Sequence, residues 1–227
     1  MTHRPRALRR APSLGRSLAL IAAQALLIFI FGLGVLGPRL LPDPERAFAP
    51  TLGLAALFAV LVPVTVALVL LGSCREPRRT LAEVGWTTSR LGRSFLFGVV
   101  GASVCVAVLA GVLIASGASW GEIAAAIGAP TAAERLVFLL IGIHAAFTEE
   151  TLFRGNLLAS LSARMRVVPA VLVTSVVFAL YHMKFNPIGL LTKAAFGIVY
   201  AALRLRSGSL FAPGVAHALF WAAAGSL

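Results

Sequence analysis

The stretch Phe147–Gly155, FTEETLFRG, sets two adjacent carboxylates and a guanidinium inside an apolar run. An ionised group at the centre of a bilayer costs roughly 2.5–3.5 kcal/mol on insertion scales, so it is kept for a partner or for a task. Residues on a helix advance about 100° each, so Glu150 and Arg154, four apart, lie on nearly one line and can pair. Glu149 is rotated about 100° from Glu150 and stays available to a cavity. From this stretch alone, a reactive centre and a polar clamp between helices are both open readings.

The surrounding chain makes the membrane setting firm. It has 227 residues, is 59% hydrophobic and only 12% charged, and its mean hydropathy is +0.93. A water-soluble globular domain is hard to sustain with that balance, and the chain reads as an integral membrane protein. The expected fold is all-α, a polytopic helical membrane protein with about seven transmembrane helices, because helices satisfy their own backbone within one segment. Apolar periodicity places the spans at 17–36, 51–73, 93–116, 135–157, 167–183, 188–203 and 209–225. The last four are shorter or interrupted by polar groups, which suits packing around a polar interior. The expected organisation is a basic cytoplasmic tail (1–16), three amino-terminal spans (17–134) and a core of four spans (135–227).

The formal net charge of +12 does not indicate a nucleic-acid partner, because the basic residues are distributed by loop. The tail carries Arg4, Arg6, Arg9, Arg10 and Arg16, and the first loop carries Arg39 and Arg46. The next holds Arg75, Arg78, Arg79, Arg90 and Arg93, while only Arg135 borders the one after it. Arg164 and Arg166 follow the fourth span, and Arg204 and Arg206 the sixth. The alternation puts the amino terminus in the cytoplasm, with the cell (plasma) membrane as the expected location. The run from Ser17 to Leu36 is longer than a signal-peptide core and is read as a retained span. Cys74 and Cys105, the only cysteines, imply neither a disulfide framework nor a cysteine zinc site.

Two further polar groups stand in the late spans: His182 in VFALYHMKFNP and His217 in LFAPGVAHALFW. A lone histidine in such a segment is usually a packing residue. Two of them converging with a free glutamate can deprotonate a water and hold it against a carbonyl. His144 is read as packing.

At this point the residues resemble the CPBP intramembrane proteases, which include the CAAX prenyl endopeptidases. The EExxxR motif is present as Glu149, Glu150 and Arg154, followed by Gly155, and FxxxH as Phe178 and His182. Ala194–Phe220 looks like the approach to a third motif that begins at His217. The resemblance covers roughly 135–221. It implies an intramembrane endopeptidase that cuts a membrane-associated protein or peptide with activated water and no acyl-enzyme. Glu149 would then be the general base, assisted by His182, with His217 near the developing oxyanion and Glu150 and Arg154 in supporting positions. The family usually has Asn or Asp four residues after that last histidine. Here the position is Trp221, whose single indole N–H is the donor that remains.

No cofactor is required by this reading. A divalent metal such as zinc stays open, since Glu149, His182 and His217 are also a His₂Glu donor set, although no HExxH is present. Asp43 is the only aspartate, so a two-aspartate site is excluded. Ser103 and Ser209 lack the glycine-rich setting of a rhomboid-like serine enzyme. A transporter or scaffold using the same groups as a proton relay or clamp is the non-enzymatic alternative. The expected partners are a membrane-associated protein or peptide substrate and the lipid bilayer. The predicted span boundaries raise one difficulty: they put Glu149 in the inner half of its span and His182 in the outer half of the next.

Overall fold

The computed structural model describes residues 12–41, 43, 50–75, 79–127 and 131–224. The expectations for the tail before residue 12, for Arg46 and for Arg78 lie outside them. Among the described residues the structure is helical: α1 (Leu14–Leu40), α2 (Leu52–Cys74), α3 (Leu81–Val84), α4 (Leu91–Ala115), α5 (Trp120–Ile127), α6 (Ala132–Ser162), α7 (Val167–Tyr181), α8 (Pro187–Ser207) and α9 (Phe211–Ala224). Helices α1, α2, α4, α6 and α8 are long and apolar enough to cross a bilayer. Helices α7 and α9 are apolar but shorter, with 15 and 14 residues, or about 21–22 Å at the usual helical rise. The chain is an integral membrane protein.

The helix ends follow local chemistry. Thr51 and Thr131 accept from backbone N–H groups three residues on, at 3.2 Å in each case, and so begin α2 and α6. Asn186 does the same for α8, accepting from Gly189 N at 2.7 Å, with Pro187 at the first helical position. Gly208 ends α8 at φ 73°, a left-handed conformation that glycine adopts without strain.

Helix α6 is the axis of the assembly. Of its most apolar window 61% is buried, against 22–28% in α1, α2 and α4, which present Leu26, Val64, Leu96 and similar side chains outward. Helix α9 packs against both α4 and α6, and α7 lies along α8. The crossings are close because small residues sit in them. A Cβ on Gly142 of α6 would come within 2.7 Å of Trp221 Cβ on α9, and one on Gly197 of α8 within 2.8 Å of the Ser175 backbone on α7.

Two boundary expectations are corrected. The connection read as starting at Gly37 begins later, because α1 stays helical to Leu40. Helix α6 does not stop near residue 157 but continues to Ser162 through a π-helical stretch, Thr151–Leu157. That second correction removes the difficulty of depth. Glu149 lies thirteen residues before Ser162 and His182 fifteen after Val167, so both stand about 20 Å from the turn joining α6 to α7.

Candidate active site

The π-helical stretch begins immediately after the glutamate pair, a place where such widened turns often mark function. It is held from outside by Trp86, whose indole N–H donates to Thr151 Oγ at 2.8 Å while its ring stacks on Phe147 at 5.4 Å. Asn156, further along, donates to Ser73 Oγ at 2.7 Å and accepts from Arg79. Tertiary hydrogen bonds therefore hold the backbone that follows the glutamates.

The structure brings Glu149, Glu150, Arg154, Phe178, His182 and His217 together. Arg154 Nη1 donates to Glu150 Oε1 at 3.2 Å, the expected pair, and both side chains are fully buried. Its other arm, Nη2, donates to Gly197 O at 3.0 Å, and the guanidinium lies 4.3 Å from the Phe178 ring centre. Phe178 thus packs beneath the cation, with His182 4.6 Å away ring to ring.

His217 sits between the two glutamates. Its Nδ1 is 3.1 Å from Glu150 Oε1, and its Nε2 is 3.9 Å from Glu149 Oε2. The ring is clamped from the side by Tyr200, stacked at 5.0 Å and 18°. His182 Nδ1 is 2.8 Å from Phe178 O, and its Nε2 is 3.7 Å from the same Glu149 Oε2.

These partners assign the tautomers. A carbonyl and a carboxylate can only accept, so His182 and His217 each carry a proton on Nδ1. In the neutral rings both Nε2 atoms are then acceptors, and both face a carboxylate oxygen that has no hydrogen-bond partner of its own. Three acceptors converging in a buried site require a proton or a cation among them.

Zinc accepts donors of these types, and backing by a carboxylate or carbonyl is what metal-bound histidines have. The spacing does not fit as placed: bonds of about 2.1 Å at tetrahedral angles need donors about 3.4 Å apart, less than 3.7 and 3.9 Å. Among the described residues no group of three or more His, Cys, Asp or Glu side chains is arranged to hold a metal ion.

Glu149 and His182 open onto a cavity of about 310 Å³ whose walls come from α1, α2 and α6, with Phe29, Leu57 and Ile141 among its apolar lining. Trp221 borders this cavity and also a small recess of about 10 Å³ shared with His182 and His217. His144 faces the same cavity, but its Nε2 is 2.7 Å from Thr65 Oγ on α2, a pairing between helices that agrees with a packing role.

The sequence reading missed Tyr200, Lys184 and Lys193. Tyr200 holds His217, and both lysines line the cavity. Rarity was the available signal, since the chain contains only these two lysines.

Residues 131–223 match the family model described as Rce1-like, type II CAAX prenyl endopeptidase Rce1-like. No curated protein and no solved structure matches the chain. The matched segment contains Glu149, Glu150, Arg154, Phe178, His182 and His217. Over that segment the chain is similar to the CAAX prenyl endopeptidases.

Proposed function

We propose that this protein hydrolyses a peptide bond in a membrane-associated, prenylated protein or peptide, using a water activated by Glu149 and His182 and no covalent intermediate. The observation that carries the reading is the convergence of His182 Nε2 and His217 Nε2 on one unpartnered oxygen, Glu149 Oε2, at 3.7 and 3.9 Å. Those gaps are too long for direct hydrogen bonds, but one water about 2.8 Å from each atom of a pair fits them. The recess of about 10 Å³ beside them is of one-water size.

In this mechanism the water donates one proton towards Glu149 and the other towards His182 Nε2. Its oxygen attacks the scissile carbonyl carbon as Glu149 takes the first proton. His217, doubly protonated with Glu150 as its counter-charge, donates from Nε2 to the oxyanion. The C–N bond then breaks, and Glu149 returns its proton to the departing amine. The apolar part of the cavity, along Phe29, Leu57 and Ile141, accepts the lipid chain. Residues 135–227 supply the chemistry, 17–134 the lipid-facing wall, and the amino terminus is cytoplasmic.

The test is cleavage of an S-farnesyl CAAX peptide by the purified protein in detergent. Native protein cleaves it and Glu149→Gln, equally well folded, does not. Undiminished cleavage by Glu149→Gln removes the assignment. Activity that a chelator abolishes and zinc restores moves the same three side chains to metal chemistry. Transport of a solute without cleavage favours the relay reading instead.

A further inference from the structure

Glu149 faces the cavity from one side of α6, and the connection between α2 and α4 is folded against the opposite side. Phe147 and Thr151 stand two residues before and after Glu149, so both point about 160° away from it on the helix. Trp86 holds both of them. It belongs to the segment Arg79–Thr87 and lines neither the cavity nor the recess beside His217.

That segment is fastened at both ends and in the middle. Arg79, buried, donates to Ser73 O at 3.0 Å and to Asn156 on the π-helical stretch. Thr80 and Glu83 form a capping box that starts α3. Val84, at the end of α3, is buried where α6 has no side chain: a Cβ on Gly155 would come within 2.7 Å of Val84 Cγ1. Gly85 then takes φ 133°, which glycine adopts without strain. Its carbonyl accepts from Leu210 N at 2.8 Å, just ahead of α9. Ser209 Oγ donates to Thr87 O at 3.1 Å. The segment is therefore a strap from α6 to the turn between α8 and α9.

Trp86 fills the space that the strap spans. On the α6 side its indole N–H donates to Thr151 Oγ at 2.8 Å, and Thr151 Oγ donates onward to Phe147 O at 2.6 Å. Hydrogen bonds in such a chain polarise and strengthen one another. On the α9 side the ring meets Phe211 edge-on at 5.2 Å, and a Cβ on Gly214 would come within 3.1 Å of it. Thr151 directly follows Glu150, and Gly214 lies three residues before His217.

Helices α6 and α9 thus meet directly at Gly142 and a second time, through Trp86, at Thr151. Glu150 and His217 lie between these two points, and their 3.1 Å contact crosses from one helix to the other. Two helices joined at a single point can splay about it. Gly142 and Glu150 are about 12 Å apart along the axis, so a splay of about 5° would part Glu150 from His217 by about 1 Å. A displacement of that size can cost about 10²-fold in rate.

We propose that the strap Arg79–Thr87, with Trp86 as its positioning residue, closes α6 against α9 and so sets the spacing of Glu149 and Glu150 from His217. Trp86 touches no reacting atom and acts through Thr151. The inference deepens the hydrolytic reading and rests on it for what the spacing serves.

The experiment uses the full-length protein in detergent and has two readouts. The first is amide hydrogen exchange without substrate, followed by mass spectrometry over 147–157 and over the peptide that contains Leu210. Trp86→Phe removes the indole N–H and Thr151→Val the hydroxyl. Each should speed exchange at both places by about five- to tenfold, the scale of one lost hydrogen bond, although Thr151 is on α6 and Leu210 is not. The double variant should be no faster than either single one, and Thr151→Ser should match native protein. Faster exchange around Thr151 alone overturns the proposal, because a local packing defect does that much. So does a tolerated Thr151→Val with an impaired Thr151→Ser, the order that packing predicts. Ser209→Ala supplies the reverse direction should the α6 variants fail to fold: it should speed exchange over 147–157, and no change there overturns the proposal. The second readout is cleavage of the farnesyl peptide, scaled to folded protein. Thr151→Val should lower kcat about tenfold with KM unchanged, as expected for misplaced reacting groups, and Thr151→Ser should restore it. An unchanged kcat, or a rise in KM alone, overturns the positioning role. Native protein that cleaves nothing removes the hydrolytic reading instead, and the exchange comparison then decides the strap by itself.

Discussion

His217 Nδ1 stands 3.1 Å from Glu150 Oε1, the same oxygen that Arg154 Nη1 reaches at 3.2 Å. One carboxylate oxygen therefore serves a cation on its own helix and a histidine on α9. It fixes which nitrogen of His217 carries a proton and which faces Glu149. The glutamate that the sequence assigns to support is in direct contact with the proposed chemistry.

Removing either partner of that pair should have distinct effects. Arg154→Ala removes the guanidinium from the fully buried Glu150 and should cost about 3–5 kcal/mol of stability, read as a lower unfolding midpoint in detergent. Glu150→Gln keeps an acceptor but loses the counter-charge of the His217 imidazolium. It should reduce kcat more than it reduces the unfolding midpoint. Equal losses in both variants would make Glu150 a structural residue only.

His182→Ala and His217→Ala should each lower kcat with little change in KM, because in the proposed mechanism both act on the water or the oxyanion and not on the bound peptide. Steady-state kinetics on the farnesyl peptide checks this. The double variant should lose less than the product of the single losses, as expected for groups that act as a unit. A rise in KM alone would assign the histidines to recognition.

Trp221 tests whether the site works without the asparagine that the family usually has. Trp221 borders both the cavity and the recess beside His217. If its indole N–H serves as an oxyanion donor, Trp221→Phe loses about 10²–10³ in turnover, the usual scale for one donor. Trp221→Asn then retains activity. A Phe variant as fast as the native enzyme assigns the indole to packing.

Packing between α7 and α8 should reach the site through Gly197. A Cβ there would come within 2.7–2.9 Å of three Ser175 atoms, and the carbonyl of the same residue receives Arg154. Gly197→Ala should cost about 1–3 kcal/mol by overpacking and lower turnover as well. Gly111→Ala, whose Cβ would meet nothing within 4 Å, is the matched control. It should be neutral or slightly stabilising, since alanine is the better helix former.

The sequence by itself determined the class of fold and the identity of the cluster. Long apolar runs have one economical backbone solution in a bilayer, so the helices were legible, and ionisable residues are rare enough there for Glu149, Glu150, Arg154, His182 and His217 to stand out. The Glu150–Arg154 pair was legible too, because it depends on spacing along a single helix.

Only the tertiary structure decided how these groups meet. Hydropathy ends α6 near residue 157, where polar residues appear, but burial against α1 and α2 carries the helix on to Ser162 and so equalises the depths of Glu149 and His182. The contact of His217 with both glutamates depends on the crossing of α6 and α9, which the close approach at Gly142 sets. The places of Tyr200 and Lys193 on α8, and of Lys184 in the turn ahead of it, likewise arise from packing against side chains of other helices. Periodicity reports which face of a helix is apolar, whereas the partner of that face is chosen by packing between helices far apart in the chain.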